Sequence, residues 1–176
     1  MKLSFHNFPL SFLTALLILL SLQCNNADSQ KLSNWPCFHG ADRTNKSIET
    51  GLLKKWPAGG PKLLFTISGL GDGYSSVSFG EGMIFTAGKS KDLSYVFAFD
   101  LNGKPVWSSP NGKSWSTTAS WASSYTGPRS TPTYDNGRLY CLSEAGRLAV
   151  YDAKTGKEIW AKNLPKEFDA PQTEYG

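Results

Sequence analysis

Charge is scarce in this 176-residue chain: Asp, Glu, Lys and Arg make up 18% of it, and the net charge is +4. No block of five or six basic residues occurs, so a nucleic-acid-binding face has no electrostatic footprint. Histidine occurs twice, as His6 and His39, each too isolated in the sequence to read as a metal ligand. The three cysteines, Cys24, Cys37 and Cys141, are equally scattered and set no metal-site spacing. The longest apolar run, Leu10 to Leu22, is thirteen residues, short of the roughly 20 that a helical membrane span needs. No window after residue 30 sustains a helical period. Also missing are a Gly-rich phosphate loop, a Ser nucleophile elbow, a Cys–His pair and an Asp-x-Asp-x-Asp loop of the calcium type. What is abundant is aromatic and turn-forming: 13% aromatic residues, 17 glycines and 10 prolines. That balance suits a β-rich globular protein rather than a disordered chain.

The N-terminus reads as a targeting segment over residues 1–23, with Lys2 ahead of the apolar run. The run closes on Ser21-Leu22-Gln23-Cys24 and a polar stretch follows. This resembles a bacterial lipoprotein signal, which implies Cys24 as the lipid attachment site. Ser21 and Gln23 stand where such signals usually have Leu and a small residue, and an ordinary signal peptide cut near Ala27 is the alternative. Either way the chain is expected to be exported. With Cys24 lipidated, Cys37 and Cys141 remain in an oxidising compartment, where a disulfide is open to them. A buried thiol in a strand is the other reading for Cys141.

Two stretches repeat. The first holds Ser75 to Ser78, Gly82 to Phe85, Val96 to Asp100 and Gly103 to Trp107. The second holds Ser130 to Thr133, Gly137 to Tyr140, Leu148 to Asp152 and Gly156 to Trp160. The offset is 55 at Phe85, 52 at Asp100 and 53 at Trp107. It changes only between Thr86 and Tyr95, or Cys141 and Arg147, and in the last turn, where hairpin loops are expected to vary in length. Turn residues at Gly80-Glu81-Gly82, Asp135-Asn136-Gly137, Leu101-Asn102-Gly103 and Lys154-Thr155-Gly156 cut each copy into four short strands. Antiparallel four-stranded units at this period predict propeller blades.

The stretch Leu148 to Trp160 resembles the blade-closing motif of the pyrroloquinoline-quinone-like (PQQ-like) β-propeller repeats. The resemblance implies that Asp100, Gly103, Trp107, Asp152, Gly156 and Trp160 form the structural motif, with each tryptophan docking over the next blade. Lys62 to Ile67 is similar to a degenerate outer strand, with Phe65 in the tryptophan's place. Asn34-Trp35-Pro36-Cys37-Phe38-His39-Gly40 is similar to the lead-in of an exported bacterial subgroup. The expected fold is therefore all-β, an incomplete propeller of about two blades plus one outer strand. Residues 24–61 are tether and lead-in, and 62–176 a partial propeller: outer strand 62–67, blades 73–107 and 127–160, and the start of another blade at 170–176. Since the family has seven or eight blades, the chain is expected to be an N-terminal fragment, with Trp160 lacking a blade to dock on.

The resemblance also implies that loops before the innermost strands form a channel mouth. Tyr74, Ser75 and Ser76, with Arg129, Ser130 and Thr131, are the weak cofactor or ligand candidates there; a structural arginine bridging blades is the competing role for Arg129. Ser108 to Tyr125, with Trp115 and Trp121, is expected as an inter-blade loop whose tryptophans stack on a ligand or pin the loop. No catalytic and no metal residue is assigned, and no cofactor is expected in this chain. The resemblance then implies two functions. One is a non-catalytic binding or scaffold module of the cell envelope, similar to the outer-membrane protein-assembly lipoproteins, meeting other envelope proteins through blade edges or the ring face. The alternative is a fragment of a PQQ-dependent dehydrogenase of alcohols or sugars, which needs PQQ and calcium.

Overall fold

The computed structural model describes residues 34–121 and 125–171. The targeting segment, Cys24, and most of the stretch 170–176 lie outside the described residues. Among the described residues eight strands form two four-stranded antiparallel sheets. The first contains β1 (Ser78–Gly80), β2 (Met83–Ser90), β3 (Leu93–Asp100) and β4 (Pro105–Lys113), in that order. The second contains β5 (Thr133–Asp135), β6 (Arg138–Leu142), β7 (Arg147–Asp152) and β8 (Glu158–Asn163), again in chain order. Each sheet is an up-and-down blade, as the repeat predicts.

The turns explain the connectivity. Two-residue loops join β1 to β2 and β5 to β6, and both loop residues have positive φ: Glu81 49° and Gly82 75°, Asn136 43° and Gly137 77°. A left-handed pair of this kind matches the right-handed twist of the strands it joins. The β2–β3 hairpin pairs Met83 with Asp100, whereas β6–β7 pairs Arg138 with Asp152. The first is three residues longer, which accounts for the fall in repeat offset from 55 to 52.

Both blades carry a bulge at the same place. Ala98 pairs with Trp107 and Phe99 with Pro105, leaving Val106 unpaired; Val150 pairs with Trp160 and Tyr151 with Glu158, leaving Ile159 unpaired. An extra residue bends its strand and re-aims the next side chain, here the motif tryptophan.

The core lies where one blade meets the other. Phe85, Val96 and Ala98 of the first pack with Tyr134, Leu139, Cys141, Ala149 and Tyr151 of the second. Tyr134 stacks on Phe85, centroids 6.1 Å apart and planes within 3°. A Cβ on Gly80 would fall 2.3 Å from the Tyr134 ring, so only glycine lets the inner strands approach this closely.

Several expectations change. Residues 62–67 adopt no strand, because no ladder partner for them lies among the described residues. Their Phe65 nonetheless takes the tryptophan's position: its ring lies where a Cβ on Gly103 would sit, 2.6 Å from Cδ2. β4 runs on to Lys113, so Ser108 to Lys113 belongs to the first blade and not to a loop; its partners in β3, from Phe97 back to Leu93, continue the ladder. The innermost strands are three residues each, and Ser75 to Val77 and Ser130 to Pro132 precede them without ladder pairing. After β8 the chain forms a short helix, α1 (Leu164–Phe168), capped by Asn163, whose side chain accepts from the Lys166 N–H. Cys37 and Cys141 are free thiols; Cys141 is buried in β6, and burial pushes its thiol far above the ordinary range.

Candidate functional site

The motif residues fasten the blades together. Asp152 ends β7, and its Oδ1 accepts from the Thr155 N–H at 2.8 Å and the Thr155 hydroxyl at 2.7 Å. Asp100 does the same for the first blade, accepting from the N–H groups of Asn102 and Lys104, both at 2.8 Å. These bonds hold both carboxyls below the ordinary value of 3.8, Asp100 chiefly through Lys104 and Asp152 through Thr155. Gly156, at φ 71°, turns its bare Cα to Trp107; a Cβ there would lie 2.5 Å from the indole. The Trp107 Nε1–H donates to the Ala153 carbonyl at 2.9 Å, and the Ser109 hydroxyl to the Gly156 carbonyl at 2.6 Å. Trp107 thus docks on the second blade. Trp160, its counterpart, is 41% exposed.

The lead-in straps both innermost strands. The Trp35 carbonyl accepts from the N–H of Phe79 in β1, and the Pro36 carbonyl from the N–H of Tyr134 in β5, both at 2.8 Å. The polypeptide then folds back at Gly40, whose Cα faces the Trp35 ring, and the Cys37 thiol donates to the Gly40 carbonyl at 3.0 Å. Between this fold and the second blade lies an open cleft of about 460 Å³. Phe38, His39 and Arg43 line it from the lead-in, and Arg129, Ser130 and Thr131 from the segment before β5.

Three of the six mouth candidates therefore meet in one cleft; Tyr74, Ser75 and Ser76 do not line it. The Tyr74 N–H donates to the Pro128 carbonyl at 2.7 Å, and its ring lies 6.0 Å from that of Tyr125. The Ser75 hydroxyl donates to the Ser130 carbonyl at 3.0 Å. Ser76 receives the Thr86 hydroxyl on its carbonyl at 3.2 Å. These residues join the two inner segments to each other and to β2. Arg129 donates to the Tyr125 carbonyl at 2.6 Å and lies over the Trp115 ring, 5.5 Å from its centroid. Trp115 is buried and pins its segment, whereas Trp121 is half exposed.

Sequence reasoning missed the seam. Glu144, in the β6–β7 turn and 7% exposed, reaches across to the first blade. Its Oε1 accepts from the hydroxyls of Ser94 and Ser114 and, at 3.3 Å, from the Trp115 N–H. Nearby the Tyr151 hydroxyl donates to the Pro110 carbonyl at 2.8 Å, and burial raises its pKa to about 12. Arg147 donates to the Asn111 side-chain carbonyl at 3.0 Å and pairs with Glu158 at 2.8 Å. In sequence Glu144 is one more acidic turn residue, and only the docked blade reveals its partners.

Residues 92–176 match the family model described as outer membrane protein assembly factor BamB. Over those residues the chain is similar to the PQQ-like repeats of that family. The match takes in most of the first blade from the start of β3 and all of the second. No curated protein matches the chain. Among solved structures the chain is similar to a europium-containing methanol dehydrogenase, 21% identical, with a TM-score of 0.37. That similarity covers 56% of this chain and 17% of the other, so the chain spans about a sixth of that enzyme's length. PQQ chemistry with calcium needs converging carboxylates. Among the described residues no three His, Cys, Asp or Glu side chains approach one metal position. Asp100 and Asp152 sit on turns, tied to backbone N–H groups.

Proposed function

We propose that this chain is part of a non-catalytic binding or scaffold module of the bacterial cell envelope, exported and held at a membrane by lipid on Cys24. The observation that carries the reading is the match of residues 92–176 to the family model of the outer membrane protein assembly factor BamB. The use of the polar side chains supports it: the motif aspartates close turns, and Glu144 and Tyr151 join blade to blade. Partners in this reading are envelope proteins that meet the blade edges or the ring face.

The test takes the native gene product in its own envelope. Photo-crosslinking residues placed at exposed positions such as Lys154 and Lys162 should capture one defined envelope protein, identified by mass spectrometry. Labelled fatty acid should enter the wild-type protein and not its Cys24→Ser variant. Dye reduction by the purified protein with PQQ, calcium and an alcohol would overturn the scaffold reading in favour of a quinone-dependent dehydrogenase.

A further inference from the structure

The cleft between the lead-in and the second blade has a chemistry that no blade motif requires. Its lead-in wall is a turn closed on itself. The Asn45 N–H donates to the His39 carbonyl at 3.1 Å, and the two side chains meet at 2.9 Å through His39 Nδ1 and Asn45 Oδ1. Arg43 and Asn45 both hold positive φ, 59° and 60°, so the bonds fix an otherwise disfavoured backbone. Arg43 is carried on this fastened turn. The one acidic residue of the turn, Asp42, is engaged by the Thr44 N–H at 3.1 Å and the Thr44 hydroxyl at 2.8 Å. On the other wall, Arg129 is held by the Tyr125 carbonyl and the Trp115 ring.

Two arginines thus line one cleft from separate segments, each permanently charged and rich in donors that match a carboxylate. Ser130 and Thr131 line the cleft with them, and no Asp or Glu is among the described residues lining it. Phe38, 60% exposed at the rim and edge-on to His39, adds an apolar surface. The geometry points to a binding site for an organic carboxylate with a small apolar body, Arg43 and Arg129 taking the anion and Phe38 the apolar part. A polypeptide C-terminus and a free aromatic acid share this chemistry. Binding of either neither requires nor excludes an envelope partner elsewhere on the blades.

Titrations of the full-length, isotope-labelled protein by NMR test the site with four probes: acetyl-Ala-Phe with a free carboxylate, its C-terminal amide, phenylacetate and phenylacetamide. An acid should shift the resonances of Arg43, Arg129 and Thr131, and bind at least about tenfold more tightly than its amide. Tighter binding of the peptide acid identifies a chain terminus as ligand; equal or tighter binding of phenylacetate identifies a free acid. Arg43→Gln, on an exposed turn, should weaken the acid about tenfold and leave the amide unchanged. Arg129→Lys, which keeps the charge, should retain part of the affinity, and the dispersion of each variant's spectrum reports its fold. Equal binding of acid and amide, no binding of either acid up to roughly 10 mM, or unchanged affinity in a folded Arg43→Gln protein would each overturn the site.

Discussion

At the scale of single residues, the blade motif works because it removes atoms as well as adding them. Gly156 and Gly137 both hold positive φ, 71° and 77°, but only Gly156 faces a ring. Replacing Gly137 by Ala should cost only the left-handed strain, about 1 kcal/mol. Gly156→Ala adds a Cβ inside the Trp107 contact and should cost about 1–3 kcal/mol more. Urea denaturation of the two variants, followed by tryptophan fluorescence, separates strain from docking; equal losses would remove Trp107 from the account. The motif aspartates make a second residue-scale prediction. Asp100 and Asp152 have folded-state pKa values below 3.8 because backbone and hydroxyl donors favour the carboxylate. A depressed folded value contributes stability above the unfolded pKa and loses it as pH falls through the folded pKa. Stability should therefore drop as pH falls below about 4. The slope in that range should be shallower in Asp152→Asn, read from denaturation midpoints between pH 5 and 2.

At the scale of elements, strand length and turn type follow from local sequence, and strand coverage does not. The hairpins at Glu81-Gly82 and Asn136-Gly137 are legible because positive φ leaves few residue choices. The same logic failed for Ser108 to Lys113: serines, a proline and a glycine read as loop, yet the partner strand β3 is long enough to hold them in a ladder. Tertiary pairing overrode a weak β-propensity there. It failed in the opposite direction for 62–67, where strand-forming residues find no ladder partner among the described residues. Cys141 marks the buried centre of β6. Its thiol should resist a thiol reagent in the native protein and react only on unfolding, because burial both blocks it and disfavours the thiolate. Labelling of Cys141 in native protein at the unfolded rate would mean that β6 opens locally.

At the scale of the whole described unit, two blades are held by a core of aromatic and aliphatic side chains and by a polar seam. Leu139 is fully buried at that junction, and Leu139→Ala should cost about 2–5 kcal/mol. Glu144 is the polar counterpart. Glu144→Ala leaves the Ser94 and Ser114 hydroxyls without their acceptor in a buried place and should cost about 2–4 kcal/mol. Glu144→Gln keeps an oxygen for them and should cost less. Calorimetry of the two variants checks the order; if Glu144→Ala is neutral, the seam contributes nothing to blade docking.

The sequence by itself determined the repeat and the turns, and its resemblance to the PQQ-like repeats pointed to the docking tryptophan. Asp152, Gly156 and Trp160 lie within nine residues, and local backbone geometry is decided by neighbours that close. The same resemblance put Arg129, Ser130 and Thr131 among the channel-mouth candidates. Tertiary structure alone decided what those residues face. The cleft joins them to His39 and Arg43, some ninety positions earlier, and the seam joins Glu144 to Ser94 across fifty. Contacts at such separations depend on how one blade leans on the other and on where the lead-in crosses both. No periodicity in the chain encodes that crossing, which is fixed by two backbone hydrogen bonds that the Trp35 and Pro36 carbonyls accept.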